Sequence, residues 1–312
     1  AQILNQQQEF VFVIGGSFGG GNMFQANQSY NAIKGVFPAL EGFGWAFGFV
    51  MAFLVGLVII GGIKRIGNVT EKLVPFMCGI YVLAALFIIF KHIDQLPHVI
   101  SLIWSGAFTF NAGFGGLVGV MVIGIKRAVF SSEAGLGSAS IAHAAAKTDE
   151  PVREGIVALL EPFIDTIVIC SMTAFVCIIT GAYNNPMAGE GVEMTRHAFG
   201  TVITWFPTVL SVCVFLFAFS TMISWSYYGE KGWCYLFGHS GAAVYSYRFV
   251  FCAFIVLGSI TSLSNVVDFT DLMILSMAFP NILGGIWLSK IVKRKLKEYD
   301  TKLAAGTFVK YK

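Results

Sequence analysis

Residues 104–147 read WSGAFTFNAGFGGLVGVMVIGIKRAVFSSEAGLGSASIAHAAAK. The stretch opens as an apolar run long enough to enter a bilayer, and a glycine cluster (Gly113, Gly115, Gly116, Gly119) then interrupts it. Glycine has the lowest helix propensity after proline, so the cluster marks a place where a helix can open. Opened backbone in lipid must find partners for its N–H and C=O groups, and it is tolerated only inside protein or beside a polar cavity. Transporters use such breaks to present backbone dipoles to an ion or a small charged solute. The same glycines would equally let a neighbouring helix pack closely. From this segment alone both readings stand.

The composition puts the remainder of the chain in the membrane. Of 312 residues, 56% are apolar and 12% charged, where a soluble domain has about a quarter charged. The six cysteines form no C-x-x-C pair and no metal-like Cys/His spacing, so they read as small buried hydrophobes. A net charge of +3 says nothing about nucleic acid. The chain has no initiator Met and no signal peptide, and it is expected to be the C-terminal part of a longer protein.

Eight apolar segments approach the ~20 residues a span requires, at 10–32, 43–63, 73–91, 104–125, 154–180, 205–228, 247–266 and 270–289. If the chain enters the first span from inside, 17 of its 20 Lys and Arg residues fall in inner loops and in the tail 290–312. Only Lys34, Lys91 and Arg196 fall outside. The opposite placement reverses the ratio, so both ends are expected to be cytoplasmic. Residues 64–72 (KRIGNVTEK) are expected as a short inner turn, 126–153 as an ordered inner stretch and 183–199 as an outer loop. The last two segments should form a hairpin turning near Asp268.

Three stretches carry chemistry. In the first span, Gly15, Gly16, Gly19, Gly20 and Gly21 make a thin helix face, and Asn22, Gln25, Asn27 and Gln28 put carboxamides at membrane depth. A buried amide without a partner costs on the order of 1–3 kcal/mol, so these side chains need interhelical bonds or a wet cavity. Phe18, Asn22 and Gln25 share one face by their spacing, giving an aromatic wall and two amides for a small solute, or polar glue between helices. In the span 205–228, Ser220, Thr221 and Ser224 are hydroxyls, with Trp225 one turn after Thr221. Such hydroxyls often bond the carbonyl one turn back, yet they also suit a hard monovalent cation. Glu161 and Asp165 lie one turn apart in the span 154–180, where carboxylates are costly and are paired or functional. Arg153 or Lys147 is the expected partner of Glu161, and Asp165 either carries a proton or cation or bonds a neighbouring helix end. Glu133 reads as a capping or gate-stabilising residue.

The stretches FGGGNMFQANQS (18–29), FSSEAGLGSASIAHAAAKTDEPVREG (130–155), EPFIDTIVICSMTA (161–174) and FAFSTMISWSYYGE (217–230) resemble, in order, signature motifs of the sodium:alanine/glycine symporters. The resemblance covers essentially the whole chain. It implies an all-α polytopic membrane protein with the LeuT-type five-plus-five inverted repeat, lacking here its first two core helices. It implies sodium-coupled symport of alanine or glycine across the cell inner membrane by alternating access, with Na+ as coupling ion, no other cofactor and no catalytic residue. On this register 1–312 is one partial transport domain, and the spans 10–32 and 205–228 are each third in their half. Phe18, Asn22 and Gln25 would then converge with Thr221 and Trp225 on one central site. The break at Phe110–Gly116, with Phe110 and Gly113, would offer backbone groups to the substrate's carboxylate and ammonium. Ser220 and Thr221 become candidate sodium ligands, and Glu133 and Asp165 gate or structural residues. Rival readings are proton coupling through Asp165 or Glu133, an intramembrane enzyme, for which no reactive constellation appears, and a channel, for which no repeated filter motif appears.

Overall fold

A computed structural model describes residues 10–108 and 113–308. Among the described residues the secondary structure is helical throughout. After a π-helical stretch Gly15–Met23 come α1 (Phe24–Lys34), α2 (Gly44–Ile59), α3 (Gly62–Lys91), α4 (Leu96–Phe108), α5 (Gly113–Ser132) and α6 (Ser138–His143). There follow α7 (Pro151–Ile179), α8 (Val192–Val202), α9 (Phe206–Phe237), α10 (Gly241–Ile260) and α11 (Leu263–Ala304). Five of these, α3, α7, α9, α10 and α11, are long and apolar enough to cross a membrane. Of the other expected spans, α2 is apolar but only 16 residues long. The segment 10–32 is largely π-helical, and 104–125 is shared between α4 and α5. The multi-pass character holds, and eight full spans are not what the described helices show.

Several boundaries move for local reasons. The turn expected at residues 64–72 lies earlier, at Gly61 and Gly62, where Gly62 takes φ +66°. KRIGNVTEK is accordingly the opening of α3 and its charges ride on a helix. The final hairpin turns at Thr261 and Ser262, not near Asp268, which lies inside α11. Serine is a favoured residue just before a helix, and Ser262, with φ −65° and ψ 147°, takes that position ahead of α11. Within α7, Pro162 has no N–H to continue the ladder, and the chain re-registers as a π-helix over Phe163–Cys170.

Helix α9 is the centre of the molecule. It buries 44% of its apolar window, against 11% for α11. One core cluster joins it to α2 and α10 around Met222, Phe251 and Ile255. A second joins it to α3, α7 and α8 around Ile88, Val176 and Phe199. A third, around Phe12, Leu136, Trp225 and Met277, joins it to the start of the chain and to α11. The π-helical stretch fits into this packing because its glycines admit neighbours that a methyl group would exclude. A Cβ on Gly15 would stand 2.7 Å from the Met273 Cβ, and one on Gly20 2.6 Å from Ile274. The expected thin face is therefore used, and α9 and α11 close on it. Gly119 and Gly124 of α5 differ, since nothing among the described residues lies within 4 Å of a Cβ there.

Candidate functional site

Two adjoining cavities, of about 360 Å³ each, lie against one face of α9. The first is bounded by Ser220, Thr221, Ser224, Trp225 and Tyr228 of α9, by Thr70, Val74 and Met77 of α3, and by Glu161 and Asp165 of α7. The second lies on the other side, against Gly20, Gln25, Phe130, Ser131 and Ile274. Glu133, Asp165, Phe217, Thr221 and Trp225 line both and form the partition. The α9 contribution follows from helix geometry: Phe217, Thr221, Trp225 and Tyr228 follow one another at intervals of four, four and three, Ser224 lies three after Thr221, and together they make one stripe.

Gln25, Thr221, Trp225, Ser220, Glu133 and Asp165 are thus brought together. Gln25 also donates to the Gly20 carbonyl at 3.1 Å. Ser220 Oγ donates to the Phe217 carbonyl at 2.9 Å, within its own helix, which leaves its lone pairs to face the cavity. Phe18 and Asn22 are placed elsewhere. Phe18 stacks on Phe254 with centroids 4.5 Å apart, and Asn22 Nδ2 donates to the Phe251 carbonyl at 2.8 Å, so both address α10. In a π-helix a turn takes more than four residues, and the face shared by Phe18, Asn22 and Gln25 in a regular α-helix is no longer one face. Phe110 and the surroundings of Gly113 lie outside the described residues.

Of the carboxamides, Asn27 has four partners. It donates to the Thr261 carbonyl at 2.7 Å and the Gly258 carbonyl at 3.4 Å, and accepts from Gln28 at 3.1 Å and Asn31 at 3.1 Å. Gln28 in turn accepts from the Val192 N–H at 3.1 Å. The amides of the first segment therefore divide between interhelical ties and one cavity wall.

Three carboxylates face the cavities. Asp165 accepts from Ser131 Oγ at 2.6 Å, near the end of α5, and from Thr166 at 3.2 Å. Glu161 has neither expected partner among the described residues; Arg153 lies instead over the Phe308 ring, 5.3 Å from its centroid. Glu133 accepts from the Trp225 indole N–H at 2.8 Å. Its backbone is left-handed, φ +54°, the one such non-glycine residue among those described. That conformation costs on the order of 1–3 kcal/mol and is held by surrounding contacts. It terminates α5, in the position usually given to glycine or asparagine. Burial pushes the Glu133 carboxyl up to about 7; the nearby Glu161 and Asp165 add to the rise, and the indole N–H of Trp225 and the neighbouring Ser138 hydroxyl oppose it. No Lys, Arg or His is among the described residues lining either cavity. The electrostatic consequence is a site that favours cationic groups.

Thr70, Phe217 and Tyr228 line the site without having been expected there. The four-residue spacing from Phe217 through Thr221 to Trp225, extended to Tyr228, was the available signal. Thr70 had none, because it sat in a stretch expected to be a turn.

Residues 9–312 match the model of the sodium:alanine symporter family. The chain is 40% identical over 290 residues to the sodium/alanine symporter AgcS of Methanococcus maripaludis, an alignment covering 91% of this chain and 62% of that protein. It is 35% identical to the probable sodium/glutamine symporter GlnT of Bacillus subtilis, over 83% of this chain and 54% of that one. It is also 32% identical to the sodium/proton-dependent alanine carrier protein of Bacillus sp. (strain PS3), over 83% and 62% respectively. The chain spans about three-fifths of the length of these relatives.

Proposed function

Because this chain belongs to the sodium:alanine symporter family, we propose that it contributes the substrate cavity of a sodium-coupled symporter for a small neutral amino acid, alanine or glycine. The observation that carries the reading is the meeting of Gln25, Thr221 and Trp225 at one partition, with carboxylates and, among the described residues, no basic side chain around it. A zwitterion's ammonium group would be drawn to the acidic side, near Asp165. The indole of Trp225 and the ring of Phe217 would wall its small side chain, and Gln25 would offer an amide. The main-chain N–H groups near Phe110 and Gly113 would take the carboxylate. Sodium would use the Ser220 and Thr221 oxygens, completed by carbonyls from elsewhere in the protein. Phe18 and Asn22 would brace the π-helical stretch against α10, from where they shape the site without touching its contents.

The arrangement is proposed as one partial transport domain of the LeuT-type inverted repeat in the cell inner membrane. Its eight spans would include α2 and the two shorter segments, with both chain ends cytoplasmic by the distribution of Lys and Arg. Sodium entry would drive uptake; about 100 mV of membrane potential is worth roughly 2.3 kcal/mol per charge.

The test is sodium-dependent uptake of radiolabelled alanine by the full-length protein in proteoliposomes, with Gln25→Ala and Thr221→Ala beside it. Both variants are expected to lose most of the uptake, and wild-type rates in both would overturn the site. Glutamine is the competing cargo, favoured by the name of one relative. Stronger inhibition of uptake by unlabelled glutamine than by unlabelled alanine would select it.

A further inference from the structure

We propose that Glu133 is a positioning residue that fixes the Trp225 wall of the cavity, and that proton uptake by its carboxyl loosens that wall. The proposal rests on the reading of the cavity given above. Trp225 is buried, and its ring is held on its faces and edges by apolar neighbours: Phe12 stacks on it at 5.8 Å and Tyr228 meets it edge-on at 5.7 Å. Its single polar atom, the indole nitrogen, donates to Glu133. Packing alone would let the indole slide within its plane, and this bond sets its position.

Glu133 is built for that reach. The turn after α5 contains Gly135 and Gly137, both with positive φ, yet the first left-handed position is given to a residue with a carboxylate. The left-handed backbone turns the side chain from the end of α5 towards α9, where it lines both cavities. A Gly or Asn there would close the helix with less strain and would lose the acceptor at that distance.

The surroundings make this acceptor sensitive to protons. Glu161 and Asp165 face it from α7, the Tyr228 hydroxyl from α9 and the Ser138 hydroxyl from α6. Arg127 of α5 is paired with Asp271 of α11, and His143 of α6 bonds Glu154 at 2.7 Å. The first helix brings only the neutral Gln25. With burial dominant, the carboxyl titrates at about 7. A protonated acid accepts a hydrogen bond roughly half as strongly as a carboxylate, so the hold on the indole weakens as pH falls through about 7.

The experiment reads the indole directly. The full-length protein, labelled with 15N at tryptophan and placed in nanodiscs, gives an indole N–H resonance that Trp225→Phe assigns. That resonance should move with pH with a midpoint near 7, and should stay still in Glu133→Gln, which keeps an oxygen acceptor without the titration. In uptake, Glu133→Ala should raise KM for alanine about tenfold, the loss of one charge-assisted bond, with a smaller change in Vmax. Glu133→Gln should recover most of that KM and remove its pH dependence. A resonance that does not titrate in the wild type, or titrates alike in Glu133→Gln, overturns the proposal. So does an unchanged KM in Glu133→Ala. Absence of uptake in the wild type would strike the transport reading instead, and the resonance would still decide whether Glu133 holds the indole.

Discussion

Gly21 and Trp225 are in such close contact that a Cβ on the glycine would stand 2.3 Å from the indole Cγ and 2.5 Å from the Trp225 Cβ. These are atoms near the root of the side chain, with no flexible end to swing away. Gly21→Ala must therefore displace the π-helical stretch from α9 or push the indole off Glu133. Overpacking of this kind costs typically about 1–3 kcal/mol. The variant should lower the apparent Tm in detergent and abolish uptake, and Gly119→Ala, where no described residue lies within 4 Å of a Cβ, should do neither. Equal behaviour of the two would contradict the packing described.

Asn27 ties α1 to the turn between α10 and α11 through the Thr261 and Gly258 carbonyls. Asn27→Ala strips two acceptors and two donors of their partner at once. A loss on the order of 3 kcal/mol is expected, read as the urea or thermal midpoint of the purified protein. Asn27→Asp keeps the acceptor and removes both donors, and it should be no better tolerated.

The stability of the folded protein should itself depend on Glu133. Its carboxyl rises from 4.5 to about 7 on folding, so the folded state holds the proton more tightly than the unfolded chain. Below 4.5 both states are protonated and the contribution is fully present. As pH rises towards 7 the unfolded chain gives up its proton first, and the contribution is lost. The apparent Tm of the wild type should fall more steeply across that window than that of Glu133→Gln. Parallel profiles would refute the assignment.

Arg127 and Asp271 pair between α5 and α11, and the arginine also lies over the Phe130 ring at 5.6 Å from its centroid. Asp271 is only 16% exposed, which makes an unpaired carboxylate there costly. Asp271→Ala and Arg127→Ala should each destabilise, and the double variant should lose less than the sum, by a coupling on the order of 1 kcal/mol. Strict additivity would show that the pair contributes nothing.

How far the sequence led differs between neighbouring residues. Thr221 and Trp225 were singled out as a pair because a regular α-helix preserves the spacing that sequence supplies, and α9 is α-helical throughout. Phe18, Asn22 and Gln25 were grouped by the same rule, and the π-helix undid it: the wider turn sends two of the three towards α10. Glu161 was given a basic partner because Arg153 and Lys147 were near in sequence. The fold carried Arg153 to Phe308 instead, a contact between residues far apart in the chain. The hairpin near Asp268 failed by six to seven residues, since a charge is a weaker boundary signal than a serine in the position before a helix.

The sequence by itself determined that the chain is helical and apolar enough to cross a membrane repeatedly, and four long motifs determined its family. Those properties are local or one-dimensional: hydropathy accumulates along a segment, and a motif is read in order. Only the tertiary structure decided which polar side chains share a cavity, that Glu133 meets Trp225 across 92 positions of sequence, and which glycines are packed and which are bare. Such facts depend on helix phase and on contacts between distant segments. A single extra residue in a helical turn rotates every side chain beyond it, and no count along the chain records that rotation.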